Sequence, residues 1–390
     1  MSPFFSLALR FSICGVVLSA TAFAAGPPAA KEYSVYFGTY TGPNSKGIYR
    51  ARLDVATGKL SPAELAVECQ DPSFLSVHPN GKFLYAIDER SSPEKTPGRG
   101  VSGYAIEARA GALTLLNQQE VGGPGPCHLM VDHEGKALLV ANYSGGSVAA
   151  LPLSADGRIG VATTVTQHTG SSINPARQKE PHAHVIIVSP DNRFTLCADL
   201  GLDKVMVYRL DAAKALLTPN TPAFAPVLAG SGPRHLTFHP GGKFVYVINE
   251  LLCTIAGFRY DAAKGTLSEL QTVSTLPPGE TVKPGMSTAE IAAHPGGKFI
   301  FGSNRGHNSI AVFGVDPATG RLTYVENQPT QGKTPRHFGV DPTGTWLLAE
   351  NQHSDTVVVF RIDAKSGQLT PTGQSIDVPA PVSAVFVAAK

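Results

Sequence analysis

The residues best suited to form a catalytic or ligand-binding site together are a histidine, two arginines and a glutamate: His184, Arg234, Arg305 and Glu250. Arg234 and Glu250 lie eight residues either side of Gly242, which belongs to a turn in the segment GPRHLTFHPGGKFVYVINE. A β-hairpin folded about that turn brings the cation and the carboxylate to one end. One interpretation is a buried ion pair. The other interpretation is a ligand-binding site that also includes Arg305. Two arginines carry more positive charge than one glutamate neutralises, and this surplus predicts an anionic ligand.

His182 and His184 form a His-x-His pair at the start of another strand-like segment. Such a pair can bind a metal, act as an acid or base, or form hydrogen bonds inside a core. No third metal ligand is evident, so we predict no metal site and no cofactor. The acid or base role is favoured, and the sequence leaves open which of the two histidines performs it.

These residues are positioned by a hairpin that recurs six times along the chain. The residues that follow its turn are Lys82, Lys136, Arg193, Lys243, Lys298 and Thr345. Each hairpin is followed by another apolar run and often by a turn and a fourth run. Four strands in a period of about 50 residues are typical of a propeller blade.

The two ends of the sequence predict one further blade. Residues 33–40 resemble a second strand without its first, and residues 381–389 resemble a first strand without its second. Pairing the two would close the ring and remove its open edge. We therefore expect an all-β fold, a seven-bladed β-propeller with four antiparallel strands per blade, as a single domain over residues 25–390.

In such a blade, the first strand begins and the second strand ends on the same face, so two columns of side chains reach one channel mouth. Further residues at this mouth are expected to contact a ligand: His128, His182, His235, Glu290, Asn304, Arg336 and His337. The Asp or Asn that recurs at the end of the second strand is predicted to form hydrogen bonds between blades. The turn histidines His78, His239 and His294 belong to the opposite face and are predicted to stabilise the turns.

Charge and leader exclude several classes of protein. The net charge is only +2 over 390 residues and no Lys/Arg run occurs, which argues against nucleic-acid binding. Residues 1–24 have the pattern of a signal peptide, with Arg10 before an apolar stretch and an Ala-Phe-Ala cleavage sequence. We expect a bacterial periplasmic or secreted protein without membrane insertion after cleavage, and its oligomeric state stays open.

The cysteines of the mature chain are widely spread and show no CxxC spacing: Cys69, Cys127, Cys197 and Cys253. This pattern indicates neither a metal cluster nor a redox motif. Structural thiols are expected, although an oxidising compartment permits disulfides, so their disulfide status stays open.

Around the candidate catalytic and ligand-contacting residues, the sequence resembles the lactonase family of seven-bladed propellers. This family includes propeller-type 6-phosphogluconolactonases and 3-carboxy-cis,cis-muconate lactonizing enzymes. The resemblance runs from about residue 33 to residue 387. Its most specific segments are GPRHLTFHPGGKFVYVINEL, AEIAAHPGGKFIFGSNRGHNSI and TPRHFGVDPTG. The resemblance implies metal-free chemistry on a lactone ring, with catalytic residues at His184, Arg234, Glu250 and Arg305.

The implied activity is a hydrolase that opens a small-molecule lactone, anionic or derived from a sugar. Hydrolysis needs a base to activate water, Glu250 or His184, and cations to stabilise an oxyanion, Arg234 and Arg305. Because the leader predicts export, a non-phosphorylated aldonolactone is preferred to a 6-phosphogluconolactone. The alternatives are a cycloisomerase acting on a carboxylated muconate and a non-catalytic propeller that binds a ligand through its rim.

Overall fold

The computed structural model describes Met1 and residues 30–89, 100–108 and 111–389. Apart from Met1, the expected signal peptide therefore lies outside the described residues. The described chain forms β-strands and one 3-10 helix, Ala212–Lys214. None of its helices is long and apolar enough to cross a membrane.

Six consecutive sheets of four antiparallel strands follow the chain order. Their strands are β4 Leu75–Val77, β5 Phe83–Ile87, β6 Val101–Ile106, β7 Leu113–Gln119; β8 Pro126–Val131, β9 Ala137–Asn142, β10 Ser147–Pro152, β11 Thr164–Gln167; β12 Ala183–Val188, β13 Phe194–Asp199, β14 Lys204–Asp211, β15 Leu216–Pro226; β16 Pro233–Phe238, β17 Phe244–Asn249, β18 Thr254–Asp261, β19 Thr266–Ser274; β20 Ser287–Ala293, β21 Phe299–Arg305, β22 Ser309–Val315, β23 Leu322–Pro329; β24 Pro335–Val340, β25 Trp346–Asn351, β26 Thr356–Ile362 and β27 Leu369–Asp377. The first strands of neighbouring sheets contact one another around the ring, so they line its central channel.

A further sheet combines strands from opposite ends of the described chain. Its order is β28 Pro381–Ala388, β1 Glu32–Thr39, β2 Gly47–Asp54 and β3 Glu64–Glu68. β1 and β28 pair antiparallel along their length. This sheet closes the ring and leaves no unpaired edge at the junction. The seven-bladed propeller predicted from the repeat is confirmed.

The core lies between neighbouring blades. Apolar side chains of one sheet, such as Leu196, pack against those of the next, such as Phe258. Polar bonds join blades as well: Trp346 Nε1 donates to the Val55 carbonyl oxygen at 2.8 Å, which links the sheet of β24–β27 to the closing sheet. A blade buries its apolar faces only against the neighbouring blades. We therefore expect the whole ring, rather than a single blade, to be the stable unit.

The turn histidines stabilise the face of the ring where the hairpins turn. His239 Nδ1 accepts the Gly241 N–H at 3.0 Å, and Nε2 lies 2.7 Å from the Gly297 carbonyl oxygen in the next blade. His78 and His294 make the same pair of contacts. The predicted turn-stabilising role is confirmed, and each histidine also ties its turn to a neighbouring blade.

One-residue bulges interrupt the pairing of the first two strands near the channel mouth. In the β16–β17 pair, Pro233 is opposite Asn249 and His235 is opposite Ile248, so Arg234 is the extra residue. The corresponding extra residues of other blades are Cys127, His184, Arg336 and Val382. A bulge re-aims a side chain that regular alternation would direct elsewhere.

Candidate active site

The mouth of the channel holds a small cleft. The bulge residues and their neighbours line it: Ser73, Phe74, Glu89, Cys127, His184, Arg234, His235, Arg336 and Val382. Of the residues expected to be catalytic, His184 and Arg234 therefore reach the cleft. Glu250 and Arg305 do not line it, but an ion pair joins Glu250 to each arginine, Arg234 and Arg305.

Three arginines surround the Glu250 carboxylate. Arg234 Nε and Arg305 Nη2 each lie 3.1 Å from Oε2, and Arg177 Nη2 lies 2.7 Å from Oε1. Burial opposes ionisation, but Arg305, Arg234 and Arg177 outweigh it and lower the pKa of Glu250 to about 2. Both oxygens of an ionised carboxylate are thus occupied, so Glu250 is suited to organising arginines and poorly suited to accepting a proton.

The arginine cluster carries more positive charge than Glu250 neutralises. Burial, followed by repulsion from Arg305 and Arg336, lowers the pKa of Arg234 to about 10, which leaves it protonated at neutral pH. Arg234 Nη1 donates to the Ala289 carbonyl oxygen at 2.7 Å. Arg305 Nε is buried without a hydrogen-bond partner among the described residues. An anion in the cleft would relieve this repulsion.

Arg336 belongs to a second polar group of the cleft. Its Nη2 donates to the Tyr40 hydroxyl at 2.7 Å, and that hydroxyl donates to Glu89 Oε2 at 2.7 Å. The Ser73 hydroxyl donates to the same carboxylate oxygen. Arg336 Nη2 also lies 4.0 Å from Glu89 Oε1. Arg336, expected to contact a ligand, is therefore held in the cleft with one carboxylate nearby.

Both histidines of the His-x-His pair contact Tyr143. His182 stacks on the Tyr143 ring with centroids 4.5 Å apart, and His184 meets the ring edge-on at 5.2 Å. His182 is half-buried and does not line the cleft, whereas His184 is buried and does. Burial, followed by the neighbouring Arg234 and His235, holds the pKa of His184 well below its usual value. His184 is therefore a neutral imidazole at neutral pH.

A chain of polar contacts begins at His235, one position after the bulge. His235 Nδ1 lies 2.8 Å from Glu290 Oε2, His337 Nε2 lies 3.5 Å from the same oxygen, and His337 Nδ1 lies 2.8 Å from Glu350 Oε2. Burial, partly offset by Glu290, lowers the pKa of His235 to about 4. His235 lines the cleft, while Glu290 and His337 do not. Within the described residues, no group of three or more His, Cys, Asp or Glu could hold a metal ion.

Two further expected ligand contacts, like His182, Glu290 and His337, do not line the cleft. His128 packs on Phe74, with ring centroids 4.1 Å apart, and lines a different cavity. The Asn304 amide is buried: its Nδ2 donates to the Thr275 carbonyl oxygen at 2.9 Å and its Oδ1 accepts the Thr275 hydroxyl at 2.6 Å. Asn304 therefore ties its strand to the connection from the preceding blade, as predicted for the recurring Asp or Asn.

Larger cavities among the described residues offer less chemistry. Two neighbouring cavities share Met130 and Ile187 and have mostly apolar linings. A third lies between the closing sheet and the β4–β7 sheet. The small cleft brings arginines and neutral imidazoles together, so it is the candidate active site.

The structure adds residues that sequence reasoning missed. Tyr143 and Glu89 occupy the same column as Glu250 and Arg305, seven residues after the repeat position that follows the turn, so the repeat carried a signal for them. Arg177 had no such signal, because it lies in the connection between β11 and β12. The described cysteines are free thiols; Cys127, Cys197 and Cys253 are buried, and Cys69 is partly buried.

Comparison with known proteins agrees with the fold. Residues 34–386 match the family described as lactonase, 7-bladed beta-propeller, and the chain belongs to this family.

A 6-phosphogluconolactonase from Bacillus subtilis is 37% identical over 311 residues, covering 80% of this chain and 85% of that protein. A 6-phosphogluconolactonase from Formosa agariphila is 34% identical, covering 69% of this chain and 75% of that protein. The structure of a periplasmic gluconolactonase from Pseudomonas aeruginosa is similar, with a TM-score of 0.85 and 35% identity. That similarity covers 92% of this chain and 100% of the other.

Proposed function

We propose that this protein is a lactonase, a hydrolase that uses water to open the ring of a sugar lactone. The observation that carries the proposal is the cleft itself, where the neutral imidazole of His184 and the incompletely neutralised Arg234 meet on a lactonase-family propeller. The names of its relatives, 6-phosphogluconolactonase and gluconolactonase, support the same reaction.

The proposed mechanism needs a base and a cation. A neutral imidazole of the cleft takes a proton from water as the water oxygen bonds to the carbonyl carbon. Arg234, with Arg336 beside it, stabilises the negative charge that develops on the carbonyl oxygen. The ring C–O bond then breaks, and the ring oxygen leaves as a hydroxyl. Glu250 remains ionised and holds Arg234 and Arg305 in place.

For the substrate, we favour a non-phosphorylated aldonolactone. Residues 1–24 have the pattern of a signal peptide, so we propose that they are removed on export and that residues 25–390 act as one propeller domain in the periplasm or outside the cell. The periplasmic gluconolactonase of Pseudomonas aeruginosa offers a precedent among the relatives. The surplus positive charge also suits an anionic lactone, which makes 6-phosphogluconolactone the competing substrate.

The test is pH-stat titration of the acid released from glucono-1,5-lactone and from 6-phosphogluconolactone, with spontaneous opening subtracted. We expect the purified protein to accelerate opening, and Arg234→Ala and Glu250→Gln to lose most of the acceleration. His239→Gln, altered on the opposite face of the same hairpin, is the control and should retain it. Failure to open either lactone above background, or full activity in Arg234→Ala, would refute the proposal.

A further inference from the structure

His235 has the surroundings of a general base. Its Nδ1 lies 2.8 Å from Glu290 Oε2, and both side chains are buried. Burial disfavours ionisation of Glu290, but His235 and His337 outweigh this effect and lower the pKa of Glu290 to about 2. The His235 Nδ1–H therefore donates to a charged oxygen. A carboxylate on one ring nitrogen fixes the tautomer and stabilises the imidazolium. Nε2 has no hydrogen-bond partner among the described residues, and the ring lines the cleft.

His184 lacks this support. Its Nδ1 has Cys127 Sγ as a neighbour at 3.9 Å, and no carboxylate bonds its ring in the described chain. Arg234 disfavours a positive charge on both imidazole rings, and at His235 the Glu290 carboxylate offsets this effect. A general base must become positively charged in the transition state, so the surroundings of His184 oppose that role. A neutral His184 remains suited to hydrogen bonding with a substrate.

Glu290 is held in one orientation by several donors. Its Oε1 accepts the Ile291 N–H at 3.0 Å. Its Oε2 faces His235 at 2.8 Å and His337 Nε2 at 3.5 Å, and His337 Nδ1 lies 2.8 Å from Glu350. Each oxygen of the Glu290 carboxylate therefore has a hydrogen-bond partner, which restrains its orientation. The carboxylate is therefore fixed where it can orient the His235 ring.

The bulge at Arg234 places this base beside a cation. Consecutive residues of a regular strand point to opposite faces, yet Arg234 and His235 both line the cleft. The extra residue in β16 explains how both reach it. The group that would accept the proton and the group that would stabilise the oxyanion are thus adjacent on one innermost strand.

We propose that His235 is the general base of lactone opening and that Glu290 is its positioning residue; this rests on the proposed function. Nε2 takes a proton from water as the water oxygen bonds to the carbonyl carbon, while Arg234 stabilises the oxyanion. When the ring C–O bond breaks, the leaving oxygen takes the proton from Nε2. The product is a hydroxy acid, which releases one proton to solvent, and the neutral imidazole is regenerated.

The decisive experiment compares steady-state kinetics of His235→Gln, Glu290→Gln and His184→Gln, with His239→Gln as control, on the lactone that the parent opens fastest. Loss of a general base lowers kcat by about 10²- to 10⁴-fold. We expect this loss in His235→Gln with KM little changed, and a smaller loss of kcat, also at little-changed KM, in Glu290→Gln. In His184→Gln we expect mainly a higher KM.

A His184→Gln variant that loses kcat while His235→Gln keeps it overturns the assignment of the base and leaves the proposed function standing. A parent that opens no lactone overturns the proposed function instead. Imidazole added to folded His235→Ala and His184→Ala separates chemistry from structural damage. Restored kcat in His235→Ala alone supports the proposal; restoration in His184→Ala alone, or in neither, refutes it.

Discussion

Replacing Glu250 with Gln should destabilise the protein strongly at neutral pH and much less in acid. The carboxylate accepts Arg177 at one oxygen and Arg234 and Arg305 at the other. A glutamine has one acceptor oxygen, and its amide NH₂ would face a guanidinium donor. The substitution therefore leaves Arg234 and Arg305 buried without a counter-charge.

The size of the effect follows from the pKa of Glu250. A displacement from 4.5 to about 2 corresponds to about 3 kcal/mol in favour of the ionised carboxylate in the folded state. Removing one partner of a buried ion pair costs about 3–5 kcal/mol, so the two estimates agree. Because the folded-state pKa is depressed, this stabilisation is complete above the unfolded-state pKa near 4.5 and is lost as the pH falls towards 2.

The assay is urea unfolding of the parent and of Glu250→Gln at pH 7 and pH 3, followed by circular dichroism. We expect the free-energy difference at pH 3 to be less than half of that at pH 7. Glu134→Gln is a matched control, because it breaks an exposed pair with Lys136 and should change stability little. If Glu250→Gln loses no stability at pH 7, or loses the same amount at both pH values, the buried arginines do not need the Glu250 charge for stability.

Three further predictions follow from other contacts described above. Arg177→Gln should raise KM roughly tenfold with little loss of stability, because the side chain is 41% exposed; initial rates test this, and an unchanged KM would contradict it. Trp346→Phe removes the bond to the Val55 carbonyl oxygen and should cost about 1 kcal/mol in urea unfolding, so equal stability would refute that role. Deletion of residues 381–389 removes β28 and should abolish cooperative thermal unfolding; a sharp transition at the parental temperature would show that closure is dispensable.

Much of the architecture could be predicted because the hairpin repeats. The turn sequence, the apolar runs and the spacing are local properties, and they identify blades without knowledge of the contacts between them. The pairing of β1 with β28 was predictable as well, since each end of the sequence lacked the strand that the other supplied. The meeting of Arg234 with Glu250 followed from hairpin symmetry about Gly242.

The rest of the candidate site depends on features that the repeat does not carry. Arg177 reaches Glu250 from a connection of irregular sequence, so its position is set by tertiary packing. Each bulge adds a single residue at the start of the first strand, so the alternation of apolar residues along the rest of the strand does not reveal it. For this reason the sequence showed that His235 belongs to the channel-mouth column, but did not show that its ring shares a cleft with Arg234 and bonds Glu290.

The closing sheet also determines when, during folding, the edge of β1 becomes protected from pairing with another chain. β1 is synthesised early, but its inner partner β28, which lines the channel, comes from the other end of the chain. Contacts between distant segments form slowly, and until β28 joins, β1 presents an unpaired edge on which another chain can add a strand. Aggregation should therefore compete with folding mainly before ring closure, so a chaperone that shields the first blade would raise the yield of folded protein.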